Sequence, residues 1–300
     1  MSTYVSLADF ATTWHRDESN AVPPWVIAAH LPLDQLGVRE RLEDVLDTIT
    51  ALQRADRLED GVYIGPTALP DTYKELLHCA RRLHIAVPPA VAAGAPMSTQ
   101  GAFGTDGRAF LYLSTYFLSG TSASVKQFHL GRLCGDIAAH QVTANTLYAM
   151  VVDQNGLRSI ARRAVGPLLE VFMAPLSLGF RLALSHWHRA AEMTADRAGL
   201  LCCRDMDAAG TALLKATMGV NPSLSHREYL DQLQRVRESS SPGKWAELMS
   251  AKPWTHKRLK ALELFHDSAL YARTIGAEVP DGAVSDEDLT TRTNKLLGVG

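Results

Sequence analysis

Residues 34–58 carry helical periodicity in their apolar positions, Leu36, Leu42, Val45, Leu46, Ile49 and Leu52, and predict a helix. A short extended piece, GVYIGP, follows. A second helix is predicted over 70–84, opened by Pro70-Asp71 and stopped before Pro88-Pro89. The period then changes. Residues 100–118 read as a hairpin, GAF and RAFLYLS joined by a Gly-Thr-Asp-Gly turn, and the second strand runs into a long helix from about 122 to 150. The stretch 157–184 is largely apolar and suggests a buried helical hairpin. Further helices are predicted over about 181–203, 205–218, 224–238 and 255–274.

This order gives an α+β chain, predominantly α-helical, with one small sheet. A single domain is expected over 25–275. Residues 1–24 read as an N-terminal arm ending at the Pro23-Pro24 break, and 276–300 as a polar, disordered tail. The arm has neither the basic start nor the apolar run of a signal peptide. The most apolar stretch, Ala164 to Phe180, contains Glu170, Pro167 and Pro175 and falls short of a transmembrane helix.

Two of the predicted helices carry charges where their neighbours are apolar. In SVKQFHLGRLCGDIAAHQVTANTLYAM, Arg132, Asp136 and His140 stand at i, i+4 and i+8, and so on one face. In ALSHWHRAAEMTADRAGLL, His188, Glu192 and Asp196 repeat the spacing. An isolated buried ion costs several kcal/mol, on the order of the penalty for an unpaired charge in the interior. The two stripes are therefore expected to face each other across the core, unless both are ordinary solvated faces.

Composition narrows the chemistry. Thirty basic against 32 acidic residues leave a net charge of −2, so nothing basic marks a nucleic-acid partner. Four cysteines are too few for a disulfide framework and read as reduced thiols in a cytoplasmic protein. Eleven histidines invite a search for metal, but no two are three or four residues apart, so no helix can offer a pair of His ligands on one face. No G-x-S-x-G nucleophile motif is present.

The second stripe carries a resemblance. The run Trp187, Arg189, Glu192, Asp196, Arg197, Ala198 and Gly199 is similar to the helix that supplies the third zinc ligand in HtpX-like and CAAX-prenyl-protease-type zinc metallopeptidases, in particular their small soluble bacterial branch. VYIGPTALPDTYKELLHCARRLHIAVPP, GAFGTDGRAFLYLSTYFL and KPWTHKRLKALELFHDSALY resemble other parts of that family, and roughly residues 30–275 are covered. The resemblance implies a zincin-like fold, with Glu192 as the metal ligand and Asp196 as the carboxylate behind it.

The family's central H-E-x-x-H is absent. On its frame, with Gly131, Gly135 and Ile137 kept, Arg132 falls at the first His, Leu133 at the catalytic Glu and Asp136 at the second His. Thr99 and Lys252 replace an Asn and a His of the family pattern. A guanidinium cannot ligate zinc at neutral pH, and leucine cannot take a proton from water. The expectation is a metallopeptidase homologue without catalysis and without cofactor. Arg132 would pair with Glu192, Asp136 or Asp196, and the former cleft would bind a peptide or a protein partner, as an accessory subunit to a biosynthetic or processing enzyme in peptide maturation. Phe110, Tyr112 and Ser114 are expected on an edge strand open to such a peptide. The alternative is an active peptidase with zinc moved to Asp136, His140 and Glu192, with His188 as a further candidate.

Overall fold

The computed structural model describes residues 22–27, 39–59, 61–94, 100–151, 178–218, 225–239 and 255–298. In chain order these hold α1 (Arg39–Glu59), β1 (Gly61–Tyr63), α2 (Pro70–Arg82), β2 (Ala90–Ala93), β3 (Gln100–Thr105), β4 (Arg108–Ser114), α3 (Thr115–Leu118), α4 (Ala123–Ala138), α5 (Val142–Val151), α6 (Leu178–Cys203), α7 (Met206–Met218), α8 (His226–Ser239), α9 (Thr255–His266), α10 (Ala269–Thr274) and α11 (Asp286–Leu297). The predicted apolar hairpin over 157–184 and the departures at Thr99 and Lys252 fall largely or wholly outside the described residues, as does most of the N-terminal arm.

The four strands form one mixed sheet in the order β1-β2-β4-β3, with β2 parallel to β4 and the outer pairs antiparallel. Side chains alternate across β4 with the two-residue period of a strand. Leu111 and Leu113 join a core with Leu76 of α2 and Phe128 of α4, while Phe110 and Tyr112 join a second with Leu46 and Ile49 of α1 and Leu147 of α5. Helices cover both faces, which is why RAFLYLS reads as a nearly unbroken apolar run.

That layering overturns the expected edge strand. Phe110, Tyr112 and Ser114 lie on β4, which is paired on both sides and buried at all three positions. The cause is β2. The Ala-Val-Ala-Ala run after Pro89 is too short and small to read as a strand, yet it pairs with β4 along Ala90–Ala93. Among the described strands, β3 is the edge on this side of the sheet.

The predicted helix over 122–150 is two helices. His140 adopts a left-handed φ of 52°, and the Asp106 carboxylate accepts from the backbone N–H of Val142 (2.9 Å) and Thr143 (3.3 Å), starting α5 afresh. Likewise the predicted helix over 255–274 divides at Ser268, whose hydroxyl accepts from the Tyr271 N–H at 3.1 Å to cap α10.

The tail expected to be disordered contains α11. Ser285 caps it, Asp286, Glu287 and Asp288 complement its N-terminal dipole, and Gly298 closes it in the left-handed conformation. Leu289, Thr293 and Leu297, at i, i+4 and i+8, are buried, and the helix packs on α9 and α6. So narrow an apolar stripe among polar residues is easily taken for none. At the other end Trp25 and Ile27 are buried, with the Ile27 N–H donating to Thr194 Oγ1 at 3.1 Å. No helix among the described residues is long and apolar enough to cross a membrane.

Candidate functional site

The site is built where α4 crosses α6. Ser122 caps α4 by accepting from the Val125 N–H at 3.3 Å. A Cβ on Gly135 would lie 2.3 Å from the Ala198 Cβ, and one on Gly199 would lie 2.9 Å from the Arg132 Cγ. The two glycines thus let the backbones approach, and Gly199 leaves room for the arginine stem. The two charged stripes are turned toward one another by this contact.

Arg132 is 7% exposed and its guanidinium lies between two carboxylates of α6. Nη2 donates to Glu192 Oε2 at 2.7 Å, and Nε forms an ion pair with Asp196 Oδ1 at 2.8 Å. A second arginine completes the cluster. Arg258 of α9 holds Asp196 in a two-pronged contact, Nε to Oδ2 at 2.8 Å and Nη2 to Oδ1 at 2.7 Å, and its Nη2 stands 3.3 Å from Glu192 Oε2. Two guanidinium charges thereby face two carboxylates at close range, the geometry in which charge-assisted bonds are strongest. Sequence reasoning missed Arg258. Its helix was predicted, but only the docking of α9 against α6 brings that position to Asp196.

Asp136 belongs to the same pocket but lacks a direct bond to either arginine. Burial, reinforced by the charge of Glu192, pushes its carboxyl up to about 8, although Arg132 and a hydrogen bond with Asn145 work in the opposite direction. At neutral pH it is therefore chiefly the uncharged acid. His188 lies face to face with Tyr148 at 3.8 Å between ring centroids; its Nδ1 is 3.2 Å from Asn145 Oδ1 and its Nε2 3.6 Å from Glu192 Oε1. Leu133 is buried and contributes hydrocarbon. Between these side chains and Gln100–Phe103 of β3 runs a cleft of about 70 Å³. One turn before the cluster, His129 is fully buried, and burial, with Arg132 and Lys215 adding to it, pushes the imidazole down to about 3.

His140 is not brought to the site. It is exposed, beyond the end of α4, in the turn that separates α4 from α5. The alternative ligand set Asp136, His140 and Glu192 is therefore not assembled, because the helical register on which it depends stops at Ala138. Among the described residues no three His, Cys, Asp or Glu side chains are arranged to hold a metal. Glu192 and Asp196 already have oxygens committed to guanidinium groups, and a cation would stand against two like charges. This donor set does not fit a zinc ion. Cys134 is buried, and burial holds its thiol well above the ordinary range, as expected of a packing residue rather than a nucleophile.

Residues 134–265 match the model of peptidase family M48. The match starts just after Leu133 and takes in Asp136, the whole of α6 and α9 as far as Phe265. The likeness to HtpX-like and CAAX-protease-type metallopeptidases holds over that stretch, and the mostly helical architecture with a small mixed sheet agrees with a zincin-like fold. No curated protein and no solved structure matches the chain.

Proposed function

From the M48-like segment we propose that this protein is a metallopeptidase homologue that has exchanged catalysis for binding. The observation that carries the reading is the Arg132 guanidinium, hydrogen-bonded to Glu192 and ion-paired with Asp196, where the aligned family frame calls for a metal-ligating histidine. Arg132, Leu133 and Asp136 are then the altered descendants of H-E-x-x-H, and the cluster needs no cofactor. With no base at position 133, water has no proton acceptor at the point where hydrolysis begins.

The remaining cleft would receive an extended peptide, from a partner protein or from a precursor being matured by another enzyme. Its recognition element moves from β4 to β3. No described strand pairs with the outer side of Gln100–Phe103, whereas further along the Gly104 and Asp106 N–H groups are taken by Thr146 and Thr143 of α5. Four to five residues of peptide is the span such an edge would pair. Buried free cysteines fit work in a reducing compartment such as the cytoplasm.

The test is a screen of unstructured peptides against the full chain, followed by hydrogen exchange and product analysis. Binding that protects Gln100–Phe103 and leaves the peptide intact, in protein purified without chelator and carrying well under one zinc per chain, is the expected result. Hydrolysis that chelation abolishes would overturn it. The companion experiment is Arg132→His, Leu133→Glu and Asp136→His together. That protein should gain stoichiometric zinc, and a failure to gain any would refute the alignment of these positions with H-E-x-x-H.

A further inference from the structure

A larger cavity lies elsewhere, between α1 and the end of the sheet where β4 begins, with a volume of about 680 Å³. It shares no lining residue with the cleft between α4, α6 and β3. Its size falls within the roughly 300–1,000 Å³ typical of pockets that enclose small organic ligands. The walls include Ile64, Ala109 and Phe110, all buried, so a ligand's body would meet hydrocarbon.

The charged groups come from α1 and β4, and Tyr63 and Tyr73 add phenol hydroxyls to the wall. Asp47, Thr50 and Arg54 line the cavity, and Arg108 faces them from β4. Asp47 is already committed, accepting from Thr105 Oγ1 and from Arg108 Nη1, each at 3.1 Å. Thr50 is 6% exposed and its Oγ1 has no hydrogen-bond partner among the described residues. A buried hydroxyl left unsatisfied costs on the order of 1–3 kcal/mol, a cost that an acceptor from outside would relieve. Arg54 follows one helical turn later, on the same face, and no ion pair among the described residues ties down its charge. With Asp47 and Arg108 cancelling, one positive charge and the buried, unpartnered hydroxyl of Thr50 remain beside an apolar chamber.

We propose that this cavity binds a soluble single-chain amphiphile with one anionic head, a fatty-acid-like carboxylate whose oxygens take bonds from Thr50 and Arg54 while its tail lies along Ile64, Ala109 and Phe110. The site is independent of the peptide-binding reading, since neither the residues nor the predicted ligand are shared.

Calorimetric titration of the delipidated full chain with laurate, below its micellar range, tests this. The expected result is saturable binding at one laurate per chain. Arg54→Glu should weaken it at least tenfold, and dodecanol should bind the unaltered protein at least tenfold more weakly than laurate. Ala51→Trp, which adds a ring to the cavity wall from an exposed position on α1, should abolish binding, with thermal melts showing that both variants remain folded. Non-saturating uptake would overturn the proposal, as would equal binding of dodecanol or an unchanged affinity in either variant. Co-sedimentation with phosphatidylglycerol vesicles in the absence of stoichiometric laurate binding would also overturn it, in favour of contact with a membrane surface.

Discussion

Arg132 and Asp136 stand one turn apart on α4, yet burial treats them differently. Arg132 meets Glu192 and Asp196 directly, so its charge is matched. Replacing it with alanine removes one of the two arginines that face these buried carboxylates, and a loss of about 3–5 kcal/mol is expected from chemical denaturation. A double-mutant cycle of Arg132→Met with Glu192→Gln should return a coupling well above the few tenths measured for exposed pairs. Asp136 predicts a pH effect. Its folded value of about 8 exceeds the ordinary 3.8, so between those values the folded chain keeps a proton that the unfolded chain has lost. Stability from this residue is then complete below about pH 4 and declines by up to about 1.4 kcal/mol per pH unit as the pH rises toward 8. Asp136→Asn should therefore melt close to the unaltered protein near pH 4 and several degrees above it near pH 9. The opposite contribution of the buried His129 is common to both proteins and cancels in the comparison. At this scale the sequence was informative: i, i+4 spacing identified Arg132, Asp136, Glu192 and Asp196. The cation Arg258 was hidden because nothing local marks a lysine- and arginine-rich helix as the one that docks on Asp196.

The helices that present these residues are held by a close crossing, and small side chains decide whether it forms. Gly135→Ala would place a methyl group 2.3 Å from Ala198 Cβ, so the helices must part or the residue must strain. A destabilisation of about 1–3 kcal/mol is expected, with partial rescue by Ala198→Gly in the same chain, read from denaturant midpoints. The existence of the helices was legible from periodicity, but their ends were less so. Asp106 begins α5 from a turn that lies 36 residues earlier in the chain, a cap that no local pattern contains. The strand β2 escaped for a related reason. Alanine and valine in so short a run carry little strand preference, and only pairing with β4 fixes them. That missed strand also moved the edge of the described sheet from β4 to β3.

Over the whole molecule, α11 ties the end of the described chain back to the core. Thr293 Oγ1 accepts from Arg197 Nη2 at 3.1 Å, and Arg197 Nη1 donates to the Trp25 carbonyl at 3.2 Å, so one buried arginine of α6 joins both ends of the described structure. Leu289→Ala should cost about 2–5 kcal/mol in denaturant unfolding, the loss for a leucine in a packed core, whereas a disordered tail would show no change. By itself the sequence determined the helical class, the small sheet, the similarity to a metallopeptidase and the identity of the charged stripes. These properties depend on spacing along one helix or strand and on which residue types occur. The tertiary structure alone decided that β4 is interior, that His140 faces solvent, that Arg258 completes the charge balance and that a large apolar cavity opens beside α1. Each of those depends on segments distant in sequence meeting in space, and burial, desolvation and charge pairing take their values only after that meeting.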